Sequence, residues 1–176
     1  MSKNTPSWEN EFTTLFNQAI EKYRQGHQKA PGLVDITGKI FLQSIGYTEQ
    51  EFFDFIEDFA GKGEPTLETA LAIAAVRRDY FLQEQKGKTS SHVIDMDKLP
   101  SKDAEVDGIG WLPRLIPKAE AKLRGEMPPE LMFGCGGDRK FFRAHQIAPA
   151  EFLRQVWKAH GDHSQVISWV KASSRA

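Results

Sequence analysis

Apolar residues recur along the chain at spacings of three and four, which is the period of an amphipathic α-helix. The first stripe comprises Trp8, Phe12, Leu15, Phe16, Ala19, Ile20 and Tyr23. Three further helices are predicted, at residues 38–45, at residues 48–61 behind a capping box of Thr48 and Glu51, and behind a cap at Thr66. This half shows no alternation with the period of two that a strand would give.

A polar stretch divides the chain. Residues 86–107 show no sustained period, so we interpret them as a linker between an acidic helical unit at 1–85 and a basic helical unit at 108–176. The basic unit again shows four helical stripes. Pro113 suits a first-turn position, whereas Pro117 either kinks this helix or marks its true start.

The two halves resemble each other when the chain is displaced by 100 residues. Residues 12–61 then align with 112–161 without a gap, and the apolar pattern matches. Identical pairs are Leu15/Leu115, Ala19/Ala119, Lys22/Lys122, Arg24/Arg124, Phe41/Phe141, Glu51/Glu151, Phe52/Phe152 and Gly61/Gly161. The predicted fold is therefore all-α, with two related four-helix units packed into one body. Chance agreement between two unrelated helical bundles is the competing explanation.

Composition and charge narrow the class of protein. With 40% hydrophobic and 27% charged residues, the chain has the composition of a globular protein. No segment has the apolar length of a membrane span, and the lone cysteine, Cys135, fits a reducing compartment, so we expect a cytoplasmic protein without a membrane partner. Residues 1–85 carry a net charge of −5 and residues 108–176 a net charge of +5. This excess is modest, and the candidate recognition helix exposes only Arg154 and Lys158, which argues against nucleic-acid binding.

The segment "LMFGCGGDRKFF" at 131–142 holds the candidate chemistry. On a helix that starts near residue 138, Asp138 and His145 share one face with Phe141 and Phe142. The aligned positions in the first half are Gly38, Phe41, Leu42 and Ile45, so polar groups occur here on an otherwise apolar face. Buried polar groups need a partner or a ligand.

Asp138 also permits a purely structural interpretation, since aspartate is a preferred N-cap and a lone cysteine behaves as a small hydrophobe. A glycine-rich loop before a helix is typical of phosphate sites, but an aspartate at the cap would occupy the N–H donors and repel the phosphate. Cys135, His145, His160 and His163 match no zinc spacing that we can justify. We therefore predict no metal and no cofactor.

Three sequence stretches are similar to a known family: "GIGWLPRLIPKAEAKLRG", "FGCGGDRKFF" and "HGDHSQVISWV". The second half, over residues 95–172, resembles the bacterial family called domain of unknown function 5069, and the first half resembles the longer members of that family. The resemblance implies a bacterial, helical protein, and it implies no activity.

The function predicted from the sequence is a non-enzymatic binding module centred on the 131–145 loop, with an unknown protein or small molecule as partner. The predicted ligand-binding residues are Arg114, Gly136, Gly137, Asp138 and Arg139. The alternative is a small-molecule enzyme that uses Cys135, Asp138 and Arg139, with His145 as a further catalytic candidate.

Overall fold

The computed structural model describes residues 6–174, and most of them are helical. In chain order the elements are α1 (Trp8–Arg24), α2 (Ile36–Ser44), α3 (Glu49–Lys62), α4 (Leu67–Gln83), a 3-10 helix (Met96–Lys98), β1 (Glu105–Val106), β2 (Ile109–Gly110), α5 (Leu112–Arg124), α6 (Gly136–His145), α7 (Pro149–Ala159) and α8 (His163–Ser173). The helical fold class is confirmed.

A small antiparallel sheet corrects the prediction of a purely α-helical fold. Glu105 pairs with Gly110 and Val106 with Ile109. The turn between the strands is Asp107–Gly108, and both residues have positive φ, at 51° and 76°. An Asp-Gly turn with two positive φ angles matches the twist of a tight hairpin. The Asp107–Gly108 dipeptide was therefore a sequence signal for a hairpin at the end of the polar stretch.

The chain divides within α4, between Ala75 and Val76, into two compact units. In the N-terminal unit, α1 packs against α3 through edge-on phenylalanine rings. The Phe52 ring lies 5.7 Å from Phe12 and 6.3 Å from Phe16, centroid to centroid. Asp35 caps α2 by accepting a hydrogen bond from the Gly38 N–H at 2.8 Å. The predicted capping box of Thr48 and Glu51 begins α3.

The C-terminal unit packs α5 against α7 and α8. A chain of edge-on rings connects the loop before α6, the second half of α6 and α7, because Phe142 lies 5.8 Å from Phe133 and 5.6 Å from Phe152. Apolar side chains of α5 complete this core: Leu112, Leu115, Ile116, Ala119 and Leu123 are buried. The core thus fixes α5 and α6, which carry the candidate site.

Helix α5 contains Pro117, which therefore does not mark the start of the helix. Pro113 lies in the first turn, as its fixed φ and missing N–H favour. The polar stretch before α5 forms hydrogen bonds within the C-terminal unit. The Ile94 N–H donates to the Glu126 carbonyl at 2.9 Å, and Ser90 Oγ donates to Glu126 Oε1 at 2.8 Å.

Several helix boundaries in the first half have a counterpart 100 residues later in the second half. Helices α1 and α5 end at Arg24 and Arg124, α2 and α6 begin at 36 and 136, and α3 and α7 begin at 49 and 149. The internal duplication, the two four-helix units and their packing into one body stay predictions.

Two glycines of the N-terminal unit predict opposite effects of alanine. A Cβ at Gly61, on the exposed side of α3, meets no atom of the described residues within 4 Å, so Gly61→Ala should stabilise the unit by about 0.5–1 kcal/mol. A Cβ at Gly38 would lie 2.9 Å from Leu15 Cδ1 and 3.0 Å from Val34 Cβ, so Gly38→Ala should cost about 1–3 kcal/mol. Urea unfolding of both variants measures the difference, and equal midpoints would show that Gly38 is not tightly packed.

Candidate functional site

Asp138 is the centre of the 131–145 region and is fully buried. Its Oδ1 accepts a hydrogen bond from Trp111 Nε1 at 2.9 Å, and its Oδ2 accepts one from the Gly134 N–H at 2.8 Å. The expectation that Asp138 caps a helix starting near residue 138 is wrong, because α6 begins at Gly136 and its N-cap is Cys135. The Asp138 carboxylate points back to the loop and to the residue before α5.

Lys118 of α5 supplies the positive charge that neutralises Asp138. Its Nζ lies 2.7 Å from Asp138 Oδ2, and only 2% of its side chain is exposed. A buried charge is tolerated when it is paired and hydrogen-bonded, and each member of this pair has that partner. Lys118 is therefore the counter-charge of Asp138.

The same ammonium contacts the thiol. Lys118 Nζ donates a hydrogen bond to Cys135 Sγ at 3.2 Å, and Cys135 is half-buried. Cysteine is a poor N-cap, and its side chain makes no capping hydrogen bond to α6. The sulfur therefore lies at the positive end of a helix and next to a buried ammonium.

Trp111 closes the site on the side of α5. It has a left-handed backbone with φ of 70°, which is uncommon for a bulky residue. Its indole ring covers Gly137 so closely that a Cβ there would overlap Trp111 Cζ2. Gly137 is therefore needed for the close approach of the ring, whereas a Cβ at Gly136 would come no nearer than 3.9 Å to Arg139.

The first turn of α6 has no side-chain cap from its N-cap residue. We had argued against an anion here because Asp138 would occupy the N–H donors of the helix start. In the structure the Asp138 carboxylate instead accepts from Trp111 Nε1, the Gly134 N–H and Lys118 Nζ, so this objection to an anion no longer holds. Gly136, the first residue of α6, is exposed. The positive end of α6 thus opens to solvent beside the thiol.

The other predicted site residues make different contacts in the structure. Arg139 is buried and its Nη1 donates to the Gly134 carbonyl at 2.8 Å, so it supports the loop. Arg114 donates instead to the Pro100 carbonyl at 2.8 Å. His145 lies at the far end of α6, where its Nδ1 is 2.6 Å from Ser174 Oγ. Burial lowers the pKa of His145 from its ordinary value.

The histidines considered for a metal site have separate surroundings. His160 is an exposed residue at the end of α7, and His163 Nε2 lies 2.9 Å from Glu120 Oε1. Among residues 6–174, no three His, Cys, Asp or Glu side chains are grouped so that they could hold a metal ion. Within the same residues, no helix has the length and apolar character needed to cross a bilayer.

Sequence analysis missed Lys118 and Trp111. The signal for Lys118 was its position, since it precedes Ala119 on a helix whose Leu115, Ala119 and Leu123 form the buried stripe. A lysine at the border of such a stripe either extends its ammonium group to solvent or pairs with a buried carboxylate, and Asp138 was the carboxylate on an apolar face. For Trp111 the sequence offers no comparable signal.

A comparison with known protein families matches the part of the chain that holds this site. The model of the family described as Domain of unknown function (DUF5069) matches residues 96–176. This match confirms the resemblance seen in the second half of the chain. No curated protein and no solved structure matches the chain. The family description names no activity, so function has to be argued from the site.

The buried pair predicts a large effect of removing one charge. Asp138→Asn should lower the free energy of unfolding by about 2–4 kcal/mol, because Lys118 would remain buried without a counter-charge. The double variant Lys118→Met/Asp138→Asn should lose less than the sum of its two single variants. Urea unfolding of the four proteins measures this coupling. An Asp138→Asn protein as stable as the parent would show that the charge of Asp138 is not required.

Proposed function

We propose that the C-terminal unit is a small-molecule enzyme in which Cys135 is the nucleophile. The contact between Lys118 Nζ and Cys135 Sγ, at 3.2 Å, carries this proposal. Nucleophilic cysteines occur beside cationic groups and at helix N-termini, and Cys135 has both neighbours. This function is the enzymatic alternative of the sequence analysis, with Lys118 as an added residue.

Each residue of the site has a distinct role in this proposal. Lys118 stabilises the Cys135 thiolate, whose proton is released to solvent. Asp138 orients Lys118 through the 2.7 Å ion pair. The thiolate attacks an electrophilic carbon of the substrate, and the electron pair displaced from that carbon moves to a substrate oxygen or leaving group near the α6 N-terminus. A reduced thiol is required, which suits the cytoplasmic location expected from the sequence.

A non-enzymatic binding module is the second candidate function. The observation that favours it is the start of α6, where the N-cap side chain forms no capping hydrogen bond and Gly136 is exposed. A carboxylate or phosphate group of a ligand would accept hydrogen bonds there without reacting with the thiol. Both candidates use the same position, so the reactivity of Cys135 distinguishes them.

Alkylation tests the nucleophile directly, because the chain has a single cysteine and every adduct is on Cys135. At neutral pH the folded protein should react with iodoacetamide about tenfold or more faster than the same chain in urea. Lys118→Met should remove this advantage, while Lys118→Arg should keep part of it. Lys140→Met, which changes an exposed lysine of α6, is the matched control and should react like the parent.

Intact-protein mass spectrometry gives the rates, and circular dichroism verifies that each variant is folded. If the folded parent reacts more slowly than the unfolded chain, Cys135 is a structural residue and the enzymatic proposal fails. The binding module would then be the remaining candidate.

A further inference from the structure

A second concavity lies in the C-terminal unit, away from the contacts described for the thiol. It is a cleft of about 320 Å³ formed where α4, α5 and α7 end. Six of its lining residues matter here: Tyr80, Glu84, Glu120, Leu123, Val156 and Trp157. A cleft of this volume is large enough for a small organic molecule.

The cleft has an apolar base and an aromatic wall. Leu123 and Val156 are buried, with 2% and 3% of their surfaces exposed. The rings of Tyr80 and Trp157 meet edge-on, with centroids 5.4 Å apart. Such a base and wall would contact the apolar body of a ligand, and the ring faces attract cations.

Two carboxylates add negative charge to the cleft. Glu84 Oε1 accepts the hydrogen bond of Trp157 Nε1 at 2.8 Å, and Glu120 Oε1 lies 2.9 Å from His163 Nε2. Within residues 6–174, no hydrogen bond is recorded to the second oxygen of either carboxylate. Each glutamate is therefore held in place by one oxygen and presents the other as an acceptor.

Arg124 does not reverse this charge. Its Nε lies 2.7 Å from Glu126 Oε2, so the guanidinium is paired with a buried carboxylate. Burial raises the pKa of Glu126, but hydrogen bonds from Arg124 and Ser90 outweigh burial and hold the pKa below its ordinary value. Glu126 is thus ionised at neutral pH and neutralises Arg124.

The helix ends act in the same direction. Helix α4 ends at Gln83, α5 at Arg124 and α7 at Ala159, and residues of all three last turns line the cleft. The C-terminal end of a helix carries a negative partial charge, which favours a cation. Three such ends and two available carboxylates therefore select the same sign of ligand charge.

We propose that this cleft binds a small organic cation: a primary ammonium group on an aromatic or aliphatic body. The ammonium donates hydrogen bonds to the carboxylates of Glu84 and Glu120, and the body lies on Leu123 and Val156 against the Trp157 ring. This site is independent of Cys135, so it stands or fails separately from the proposed enzymatic function.

Three probes of equal size and different charge test the selection: benzylamine, benzyl alcohol and benzoate. The indole N–H signal of Trp157, assigned with Trp157→Phe, reports binding in a titration followed by two-dimensional NMR. Benzylamine should shift the signal saturably, and benzyl alcohol should bind about tenfold more weakly, because it lacks the charge. Benzoate should produce no saturable shift.

Glu84→Gln and Glu120→Gln should each weaken benzylamine binding about fivefold or more, because the amide is neutral and keeps the shape. Glu130→Gln changes an exposed glutamate outside the cleft lining and is the matched control. Thermal unfolding verifies that the variants are folded. The proposal is overturned if benzylamine gives no saturable shift, if benzyl alcohol binds equally well, if benzoate binds more tightly, or if both glutamine variants bind like the control.

Discussion

The burial of the Asp138 carboxylate is the constraint on which the candidate thiol site depends. Removing a carboxylate from water costs on the order of several kcal/mol unless cationic groups and N–H donors replace the water. The donors here come from three separate parts of the chain: Trp111 before α5, Lys118 within α5 and Gly134 in the loop before α6. None of these parts can be displaced without leaving a buried charge incompletely solvated. The position of Lys118 beside Cys135 follows from this arrangement.

The N-terminal unit begins the corresponding helix in a different way. Asp35, 100 positions before Cys135, caps α2 with a 2.8 Å hydrogen bond, whereas Cys135 makes no such bond. The first half therefore starts its helix with a carboxylate, three residues before Gly38. A good N-cap stabilises a helix by about 1 kcal/mol relative to a poor one. The C-terminal unit lacks this stabilisation at Cys135, which supports a functional use of the thiol.

The side chains around this helix start also fill space differently in the N-terminal and C-terminal units. In the N-terminal unit, Glu11, Gln18, Asp35 and Gly38 line a cleft of about 360 Å³. The positions 100 residues later hold Trp111, Lys118, Cys135 and Asp138, which contact one another in the C-terminal unit. This agreement supports the proposed duplication. It also indicates that side chains at a few positions replace the lining of a cleft with a polar centre of paired side chains.

The features that were predicted correctly from the sequence depend on residues that lie close together along the chain. The helical stripes were visible because residues three and four apart share a face, and the capping box at Thr48 uses groups within one turn. The contacts of the site join residues 17 and 27 positions apart, Lys118 with Cys135 and Trp111 with Asp138. Such pairs depend on the path of the whole unit. The left-handed backbone of Trp111 likewise has no local signal in the sequence.

Helix α5 carries both proposed sites on different faces. Lys118 and Glu120 are two residues apart, so their side chains point about 200° apart around the helix axis. Lys118 faces Asp138 and Cys135, whereas Glu120 faces the cleft and His163. The apolar stripe of Leu115, Ala119 and Leu123 between them is buried and fixes the rotation of α5. A rotation of α5 that improved the geometry at one proposed site would therefore disturb the other.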